Sequence, residues 1–350
     1  MTSIDRAIVE QWLTTVAPEW WERASYATDA EWARKERAME PDRLRVRPFV
    51  GKRDQRDIVE LLLSAQAAEP AFDWPGAGQL RALLADPQLH WLRDTRMWVD
   101  ERGALAAFAV LWGGRSLLWF TRPAARSDAL DASIIAWAAM RAREQAEPGA
   151  VVSLRTEARS PEAQRLASLA RLGFVAAPGG SIRLSRSLDL PIDAQRAAPG
   201  YRIRPLASDE LDAYLALARR LFPKAQRLPL SEGRRRALMA DAAYTPELDL
   251  VVETTEGEVV GFCHSSLRPD ERERLGRRAG WIELIGVAPE HRHRGLGRAL
   301  LHAGLLALAD YGADRATLTV RSENTAARAL YEAEGFTSLF EERTYTLTLD

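Results

Sequence analysis

The feature that most constrains the fold of this 350-residue chain is an internal repeat of one order of strands and helices. Each copy begins with an alternating strand that ends in proline, at residues 44–48 and again at 201–205. Each copy then continues with two strands joined by a glycine turn, and ends with a helix, a strand, a second helix and a last strand. The period is far longer than that of solenoid repeats, so the pattern predicts two tandem copies of one α+β (mixed α/β) unit.

Composition places the chain among ordinary globular proteins and limits its partners. Hydrophobic residues make up 47% and charged residues 28%, and the net charge is -1, which gives no support for nucleic-acid binding. The single cysteine, Cys263, excludes an internal disulfide and is typical of a reducing compartment. No apolar run reaches membrane-spanning length, and residues 1–10 carry charges where a signal peptide is apolar. We therefore expect a cytoplasmic protein with no nucleic-acid and no membrane partner.

Residues 281–300, in the second copy, contain the most informative local sequence. The apolar run 282–287 predicts a buried strand that carries one carboxylate, Glu283. A proline ends this strand, and a basic loop that contains Gly295 and Gly297 leads into a long helical pattern. The unpaired N–H groups and the positive dipole end of such a helix form an anion site. A phosphate is the ligand that this junction fits best.

The loop does not match two common phosphate-binding patterns, but it matches a third. A Walker A loop requires Gly-Lys-Ser/Thr, whereas Gly297 is followed by Arg298, and a dinucleotide-binding loop requires a third glycine that is absent here. The pattern R-x-x-G-x-G, formed by Arg292, Gly295 and Gly297, resembles the acyl-CoA pyrophosphate loop of the GNAT superfamily of N-acyltransferases. The resemblance covers residues 201–350 well and the first copy by its layout only.

The GNAT resemblance implies the fold, the co-substrate and a set of binding residues. Each copy should form a GNAT-like domain, which is a mostly antiparallel central sheet flanked by helices. The second copy should use acetyl-CoA as co-substrate, with no metal. Its strand should splay between Glu283 and Val287 and offer backbone amides to the pantetheine arm and the thioester carbonyl. The implied cofactor-binding residues are Ile285, Val287, Arg292, His293, Arg294, Gly295, Leu296, Gly297, Arg298 and Asn324.

The same resemblance implies two catalytic residues, each with a structural alternative. Glu283 lies four residues before Val287, the spacing of the general base in many GNAT enzymes, and partial burial would make its carboxylate a stronger base. The alternative is an ion pair with a nearby arginine. Tyr331 matches the tyrosine that protonates the departing CoA thiolate, and the alternative is a core tyrosine. Asn324, at the pantetheine-contact position, is also a favourable N-cap residue.

The first copy lacks these residues at the matching positions. When Pro123 is aligned with Pro289, Asp131 falls opposite Gly297, and a carboxylate at this position would repel a diphosphate. When the glycines that end the last helices are aligned, Leu169 falls opposite Tyr331. We therefore expect a degenerate first domain that supports the active copy or completes its substrate cleft.

Four further residues and one basic cluster have structural interpretations. Cys263 and His264 are neighbours on a strand and point to opposite faces, so they do not form a nucleophile–base pair. Cys263 is predicted to be a small core residue. His291 and His293 flank the loop without an apparent third ligand, so no metal site is predicted. The arginines at 234–236 are predicted to lie on the solvated surface.

The sequence thus predicts a domain order and an activity. Residues 1–42 form a helical N-terminal extension, 43–190 a degenerate GNAT-like domain, 191–200 a linker and 201–350 a catalytic GNAT domain. The expected activity moves an acetyl or short acyl group from acyl-CoA to the primary amine of a small molecule, by direct attack in a ternary complex. The protein would act as a monomer or homodimer. The alternatives are a non-catalytic acyl-CoA-binding regulatory module and an acetyltransferase that acts on protein or peptide amines.

Overall fold

The structure, a computed structural model, describes residues 44–49, 51–68, 89–193, 197–222, 235–236, 239, 244–267 and 278–349. The predicted N-terminal extension, residues 1–42, lies outside these ranges. The chain divides into two compact units: unit 1 comprises Met1–Pro178 and Glu342–Asp350, and unit 2 comprises Gly179–Glu341. Within the described ranges, no helix combines the length and apolar character needed to cross a bilayer.

Strands and helices follow the order that the repeat predicts. In the first copy they are β1 (Leu44–Arg47), α1 (Lys52–Ala68), α2 (Trp91–Asp94), β2 (Thr95–Asp100), β3 (Leu105–Trp112), β4 (Ser116–Thr121), α3 (Asp128–Gln145), β5 (Val152–Arg159), α4 (Ala163–Arg171), β6 (Val175–Ala176) and β7 (Ser181–Ser187). In the second copy they are β8 (Tyr201–Pro205), α5 (Leu211–Leu221), β9 (Asp249–Thr254), β10 (Val259–Leu267), β11 (Ala279–Val287), α6 (Leu296–Asp310), β12 (Arg315–Arg321), α7 (Thr325–Ala333) and β13 (Thr337–Leu349).

Unit 1 is built on a sheet of order β1-β2-β3-β4-β5, which residues 342–349 of β13 complete beside β5. β4 and β5 run parallel, and the other pairs of this sheet are antiparallel. Successive residues of a strand point to opposite faces, so each face buries its own hydrophobic cluster. Met97 of β2 packs in the cluster that contains α1, and Trp98 packs in the cluster that contains α3. The Trp98 indole N–H donates to Ser133 Oγ at 2.8 Å, which satisfies this buried polar group.

Unit 2 has a sheet of order β8-β9-β10-β11-β12-β7, in which β11 and β12 are parallel. Helix α5 covers one face, where the rings of Tyr214 and Phe262 lie 4.8 Å apart. Helix α6 covers the other face at close range, since a β-carbon added to Gly304 would lie 2.8 Å from Cys263 Sγ. Cys263 is fully buried, as predicted, and burial raises the pKa of its thiol to about 12. The thiol is therefore a core group at neutral pH.

The last strands of the two copies are exchanged between the units. Over its whole length β7 pairs with β12 of unit 2, from Ser187 opposite Arg315 to Ser181 opposite Arg321. Residues 342–349 of β13 pair with β5 of unit 1. These unit boundaries differ from the predicted domains 43–190 and 201–350. β7 and β13 carry the same alternating pattern after the same kind of helix. The pattern therefore predicts that each pairs at a sheet edge, but it does not predict to which of the two sheets each strand is added.

The first residues of the predicted linker 191–200 are packed in unit 2. Arg186 Nη2 donates to the carbonyl of Pro191 at 2.6 Å, and Ile192 packs against the unit 2 core. Arg186 Nε also donates to the carbonyl of Glu334 at 2.6 Å. The guanidinium thereby joins β7, the chain that follows it and the end of α7.

Candidate active site

A wedge opens between the parallel strands β11 and β12 of unit 2. Their pairing begins at Ala279 and ends at Ile282, although β11 continues to Val287. Over the remaining residues β11 stays paired with β10 on its other side. The splay that the GNAT resemblance implies is therefore present, and it leaves the β12 side of the strand end open.

Two backbone N–H groups face this wedge. The N–H of Ala288 donates to the carbonyl of Val260 at 2.8 Å, so Ala288 faces β10. Backbone groups alternate between the two sides of a strand, and therefore Ile285 and Val287 face away from β10. These are the residues whose amides the GNAT resemblance implies as cofactor contacts. They lie where β12 provides no pairing partner.

Glu283 lies at a β-bulge beside the wedge. The register between β10 and β11 shifts between His264 and Ser265, at the level of Glu283. A bulge of this kind turns a side chain away from the regular alternation of the strand. Glu283 is exposed, and its Oε1 accepts a hydrogen bond from Ser266 Oγ at 2.7 Å. The prediction that Glu283 is partly buried is therefore wrong, because the bulge directs its carboxylate outward.

The loop after β11 ends in a helix start that has no side-chain cap. Gly295 is the N-cap residue, with φ of 76°, in the left-handed region that favours glycine. The first helical hydrogen bond runs from Ala299 N to Gly295 O at 3.0 Å. Helix geometry therefore leaves the N–H groups of Leu296, Gly297 and Arg298 without intrahelical partners. A β-carbon added to Gly297 would meet nothing within 4 Å, so the space in front of this turn is open to a ligand.

Contacts on both sides of the loop hold it in place. Arg292 Nε donates to the carbonyl of Val287 at 3.1 Å, which ties the loop to the end of β11. His291 Nδ1 lies 3.0 Å from the hydroxyl of Tyr201 on β8, and the Arg294 guanidinium lies 6.0 Å from the same ring. Arg298 Nε pairs with Glu334 at 2.8 Å. The contacts of Tyr201 and Glu334 with the loop could not be predicted from the sequence, because both residues lie far from the loop along the chain.

His293 has a backbone conformation that is unusual for its residue type. Its φ is 61°, which makes it the one non-glycine residue of the described ranges in the left-handed region. Gly295, two residues later, has the same handedness. Left-handed residues in a short loop turn successive N–H groups towards one concavity, a geometry that binds anions. This geometry fits the diphosphate of acyl-CoA.

Tyr331 and Asn324 lie on α7, which begins after β12. Asn324 is the N-cap residue, and its Oδ1 accepts from Ala327 N at 3.2 Å, as its sequence position predicts. Tyr331 is 7% exposed, and its ring lies 5.8 Å from that of Phe336. Burial raises the pKa of Tyr331. Among the residues that the structure describes, none forms a hydrogen bond with its hydroxyl, so this proton is available to a ligand.

A buried polar cluster on the α5 face is a feature that sequence reasoning missed. Arg235 is 1% exposed and donates to Asp249 Oδ2, which also accepts from the hydroxyl of Tyr244 at 2.7 Å. His264 Nδ1 lies 3.4 Å from Asp249 Oδ1, and the Arg235 guanidinium lies 4.7 Å from the ring of Tyr214. The prediction that the arginines at 234–236 are solvated is therefore wrong for Arg235. Three adjacent arginines are typical of a solvated surface. The burial of one of them depends on its pairing with the carboxylate of Asp249, which lies on a strand 14 residues away.

Unit 1 has a corresponding wedge but a different helix start. β4 and β5 are paired at Ser116 and Arg155 and separate beyond that point. At the start of α3, Ser127 Oγ accepts from Leu130 N at 3.2 Å, and two carboxylates, Asp128 and Asp131, lie in the first turn. In unit 1 these groups accept a hydrogen bond from the helix start and neutralise its positive dipole end. The corresponding helix start in unit 2 has no side-chain cap and no acidic residue in its first turn. This local difference favours a phosphate site at the start of α6 in unit 2 over one at the start of α3 in unit 1.

Comparison with known proteins gives a family match and a set of relatives. Residues 212–336 match the sequence model described as the Acetyltransferase (GNAT) family. The chain is 36% identical over 160 residues to a mycothiol acetyltransferase of Thermobispora bispora. The matched region covers 44% of this chain and 52% of the relative. The chain is 30% identical over 159 residues to the enzyme of that name from Propionibacterium freudenreichii, which covers 44% and 49%. The chain thus spans about half the length of these curated relatives.

Solved structures of similar fold cover most of the chain. A GCN5-related N-acetyltransferase from Sphaerobacter thermophilus has a TM-score of 0.70 and 22% identity, and the match covers 88% of this chain and 96% of that one. A tandem GNAT protein from the clavulanic acid biosynthesis pathway has a TM-score of 0.67 and 16% identity, with coverage of 87% and 98%. These structures confirm the predicted fold class of two tandem GNAT-like domains. The tandem arrangement is also similar to that of mycothiol synthase, a resemblance that rests on architecture.

Proposed function

Because residues 212–336 form a domain of the GNAT acetyltransferase family, we propose that this chain is an N-acyltransferase that uses acyl-CoA. It transfers an acetyl or short acyl group to the primary amine of a small molecule. The observation that carries this proposal is that a strand with two open N–H groups is followed, after one short loop, by an uncapped helix start. The relatives named mycothiol acetyltransferase support a small-molecule acceptor.

The backbone of unit 2 provides most of the acyl-CoA contacts in this proposal. The N–H groups of Leu296, Gly297 and Arg298 bind the diphosphate, assisted by the positive end of the α6 dipole. The open space at Gly297 admits the phosphate oxygens. The N–H groups of Ile285 and Val287 bind the pantetheine arm and the thioester carbonyl. The side chains of the loop residues and of Asn324 complete the set of cofactor-binding residues that the GNAT resemblance implies.

Two side chains move the protons of the reaction. Glu283, exposed at the bulge, accepts the proton of the acceptor ammonium directly or through a water molecule. The free amine then attacks the thioester, and the wedge N–H groups stabilise the negative charge that develops on the carbonyl oxygen. Tyr331 gives its proton to the departing thiolate. The acyl group is transferred directly to the amine, without a covalent acyl-enzyme. The one cysteine of the chain, Cys263, is buried in the core and so does not serve as a nucleophile.

We propose that acyl-CoA binds to unit 2 and not to unit 1. The α3 start in unit 1 is capped by Ser127 and carries Asp128 and Asp131, which repel a diphosphate. In addition, Arg165 of α4 aligns with Ala327 of α7 when Gly173 is matched to Gly335, so unit 1 carries a long side chain where unit 2 carries a methyl group. One acyl-CoA site per chain is the expected stoichiometry.

Replacement of Tyr331 by phenylalanine tests the proton-transfer role. We expect kcat to fall by about a hundredfold, the lower range for loss of a general acid, while acetyl-CoA affinity changes by less than about twofold. The ring packing against Phe336 is kept in the variant. The measurement is steady-state kinetics combined with calorimetric titration of acetyl-CoA.

Tyr311 supplies a matched control for this substitution. It is 45% exposed at the end of α6, and its hydroxyl donates to Glu247 at 2.9 Å. We expect the Tyr311→Phe variant to keep the kcat of the wild type. If the Tyr331→Phe variant also keeps that kcat, Tyr331 is a core residue and another group protonates the thiolate.

A further inference from the structure

The wedge of unit 1 encloses a cavity of about 360 Å³ whose occupant the proposed function does not identify. It opens where β4 and β5 separate, beyond the pairing of Ser116 with Arg155. Its walls combine the end of β4, the end of β5 and the start of α4. The lining residues used below are Trp119, Thr121, Asp131, Glu157, Glu162 and Arg165.

The strand wall of this cavity presents two backbone donors. The N–H of Arg122 donates to the carbonyl of Ala106 at 2.8 Å, so Arg122 faces β3. By alternation along β4, the backbone groups of Trp119 and Thr121 face the wedge. Beyond Ser116, β5 offers them no ladder partner. Both N–H groups therefore point into the cavity.

The hydroxyl of Thr121 adds a third donor. Thr121 is 8% exposed, and its Oγ1 has no hydrogen-bond partner among the described residues. A buried hydroxyl without a partner is costly, and a ligand that accepts its hydrogen bond removes that cost. The unpartnered hydroxyl is thus evidence for a ligand that is independent of the shape of the cavity.

Arg165 places a cation over the same wall. Its guanidinium lies 3.7 Å from the centroid of the Trp119 ring, Nε donates to the carbonyl of Glu157 at 3.2 Å, and Nη2 donates to Thr156 Oγ1 at 3.1 Å. In the described part of the chain, no carboxylate lies within ion-pair distance of this guanidinium. Arg165 is half-buried; desolvation lowers the pKa of its guanidinium, and the charges of Glu162 and Asp131 act in the opposite direction.

Three of the carboxylates that line the cavity are bonded to other groups. Asp131 Oδ2 accepts from Ser168 Oγ at 2.6 Å, and Glu162 Oε2 accepts from the N–H of Arg159 at 2.7 Å. Arg159 also pairs with Glu342 at 3.2 Å. The N–H groups of Trp119 and Thr121 and the Thr121 hydroxyl are not among the donors that these carboxylates engage.

We propose that this cavity is a binding site for a small carboxylic acid. The carboxylate accepts hydrogen bonds from the N–H groups of Trp119 and Thr121 and from the Thr121 hydroxyl, and it neutralises Arg165. A diphosphate at the start of α3 is disfavoured, because Ser127 caps this helix start and Asp128 and Asp131 lie in its first turn, whereas the proposed carboxylate lies at the β4 wall. Unit 1 thereby retains the wedge of the repeat for a ligand without phosphates.

Calorimetric titration of the full chain tests this site. The probes are sodium acetate, butyrate and succinate, with sodium chloride and sodium phosphate as comparison salts. We expect at least one carboxylate to bind with one site per chain. The Thr121→Val variant should bind it about tenfold more weakly, because a hydrogen bond to a charged group is lost. The Arg165→Gln variant should bind about a hundredfold more weakly, because the cation is lost as well.

Thr348→Val is the matched control, since Thr348 is an exposed threonine of β13 in the same sheet. It should bind the carboxylate as the wild type does, and all three variants should bind acetyl-CoA with wild-type affinity. The proposal is overturned if no carboxylate binds at up to about 10 mM. It is equally overturned if phosphate binds in preference, or if the Thr121→Val variant retains wild-type affinity. Because acetyl-CoA is titrated separately, failure here leaves the proposed function of unit 2 standing.

Discussion

Replacement of Gly295 by aspartate is expected to weaken acetyl-CoA binding by about a hundredfold. Gly295 has a φ of 76°, and a residue with a β-carbon pays about 1 kcal/mol to adopt it. The new carboxylate also lies at the start of α6, where it repels the diphosphate. It also accepts hydrogen bonds from the N–H groups that would otherwise bind the diphosphate. The substitution gives this loop a carboxylate of the kind that Asp131 provides in the first copy.

Gly312 provides a control at the opposite end of the same helix. Its φ is 83°, so the Gly312→Asp variant bears a comparable backbone cost without a carboxylate near the loop. Both variants and the wild type would be titrated with acetyl-CoA in a calorimeter at one ionic strength. We expect Gly312→Asp to bind as the wild type does and Gly295→Asp to bind about a hundredfold more weakly. Equal affinities of the two variants would mean that the α6 start is not the diphosphate site.

Removal of the Asp249 side chain is expected to lower the free energy of unfolding by about 3–5 kcal/mol. Asp249 is 0% exposed and Arg235 is 1% exposed, so Asp249→Ala leaves a buried guanidinium without its carboxylate. It also removes the acceptor of the Tyr244 hydroxyl. The loss would be measured by denaturant unfolding at neutral pH, with near-ultraviolet circular dichroism as the probe.

Asp314 is the comparison site for this measurement. Its carboxylate lies 3.9 Å from Arg278 in an ion pair whose side chains are 40% and 50% exposed. An exposed pair of this kind contributes little, so Asp314→Ala should change the unfolding free energy by less than about 1 kcal/mol. If Asp249→Ala is as mild as Asp314→Ala, the buried cluster does not anchor the α5 face.

The stabilisation by Asp249 has a defined pH dependence. Burial acts to raise the pKa of its carboxyl, but His264 and Arg235 outweigh burial and hold the pKa below its ordinary value. A carboxyl with a lowered pKa in the folded state stabilises the fold fully above its unfolded pKa of about 3.9. This contribution is lost as the pH falls through the folded pKa. The stability difference between wild type and Asp249→Ala should therefore shrink under strongly acidic conditions.

Local sequence was sufficient to predict the features that lie close together along the chain. The open start of α6 and the Asn324 cap follow from residues 281–300 and from one helix start, and the GNAT resemblance of the same stretch implies the splay of β11. Burial of Cys263 likewise follows from its place in an apolar strand. Each of these depends on contacts between residues near in sequence or on the backbone rules of one element.

Features that depend on distant partners could not be predicted in the same way. The exposure of Glu283 results from a register shift against β10, which the sequence of β11 does not encode by itself. The burial of Arg235 requires the carboxylate of Asp249, which lies on a strand and accepts the hydrogen bond of the guanidinium. The exchange of β7 and β13 depends on which copy supplies each last strand, and the two have equivalent patterns. In each case the deciding interaction is tertiary.

The most direct test of the central claim is whether acetyl-CoA is consumed with formation of an amide. The full chain would be incubated with acetyl-CoA and a panel of small primary amines, and free CoA and acetylated amine would be quantified by mass spectrometry. We expect equimolar formation of both products with at least one amine, lost in Glu283→Gln while acetyl-CoA binding persists. Binding of acetyl-CoA without amine-dependent release of CoA would contradict the claim, and would identify unit 2 as an acyl-CoA-binding regulatory module.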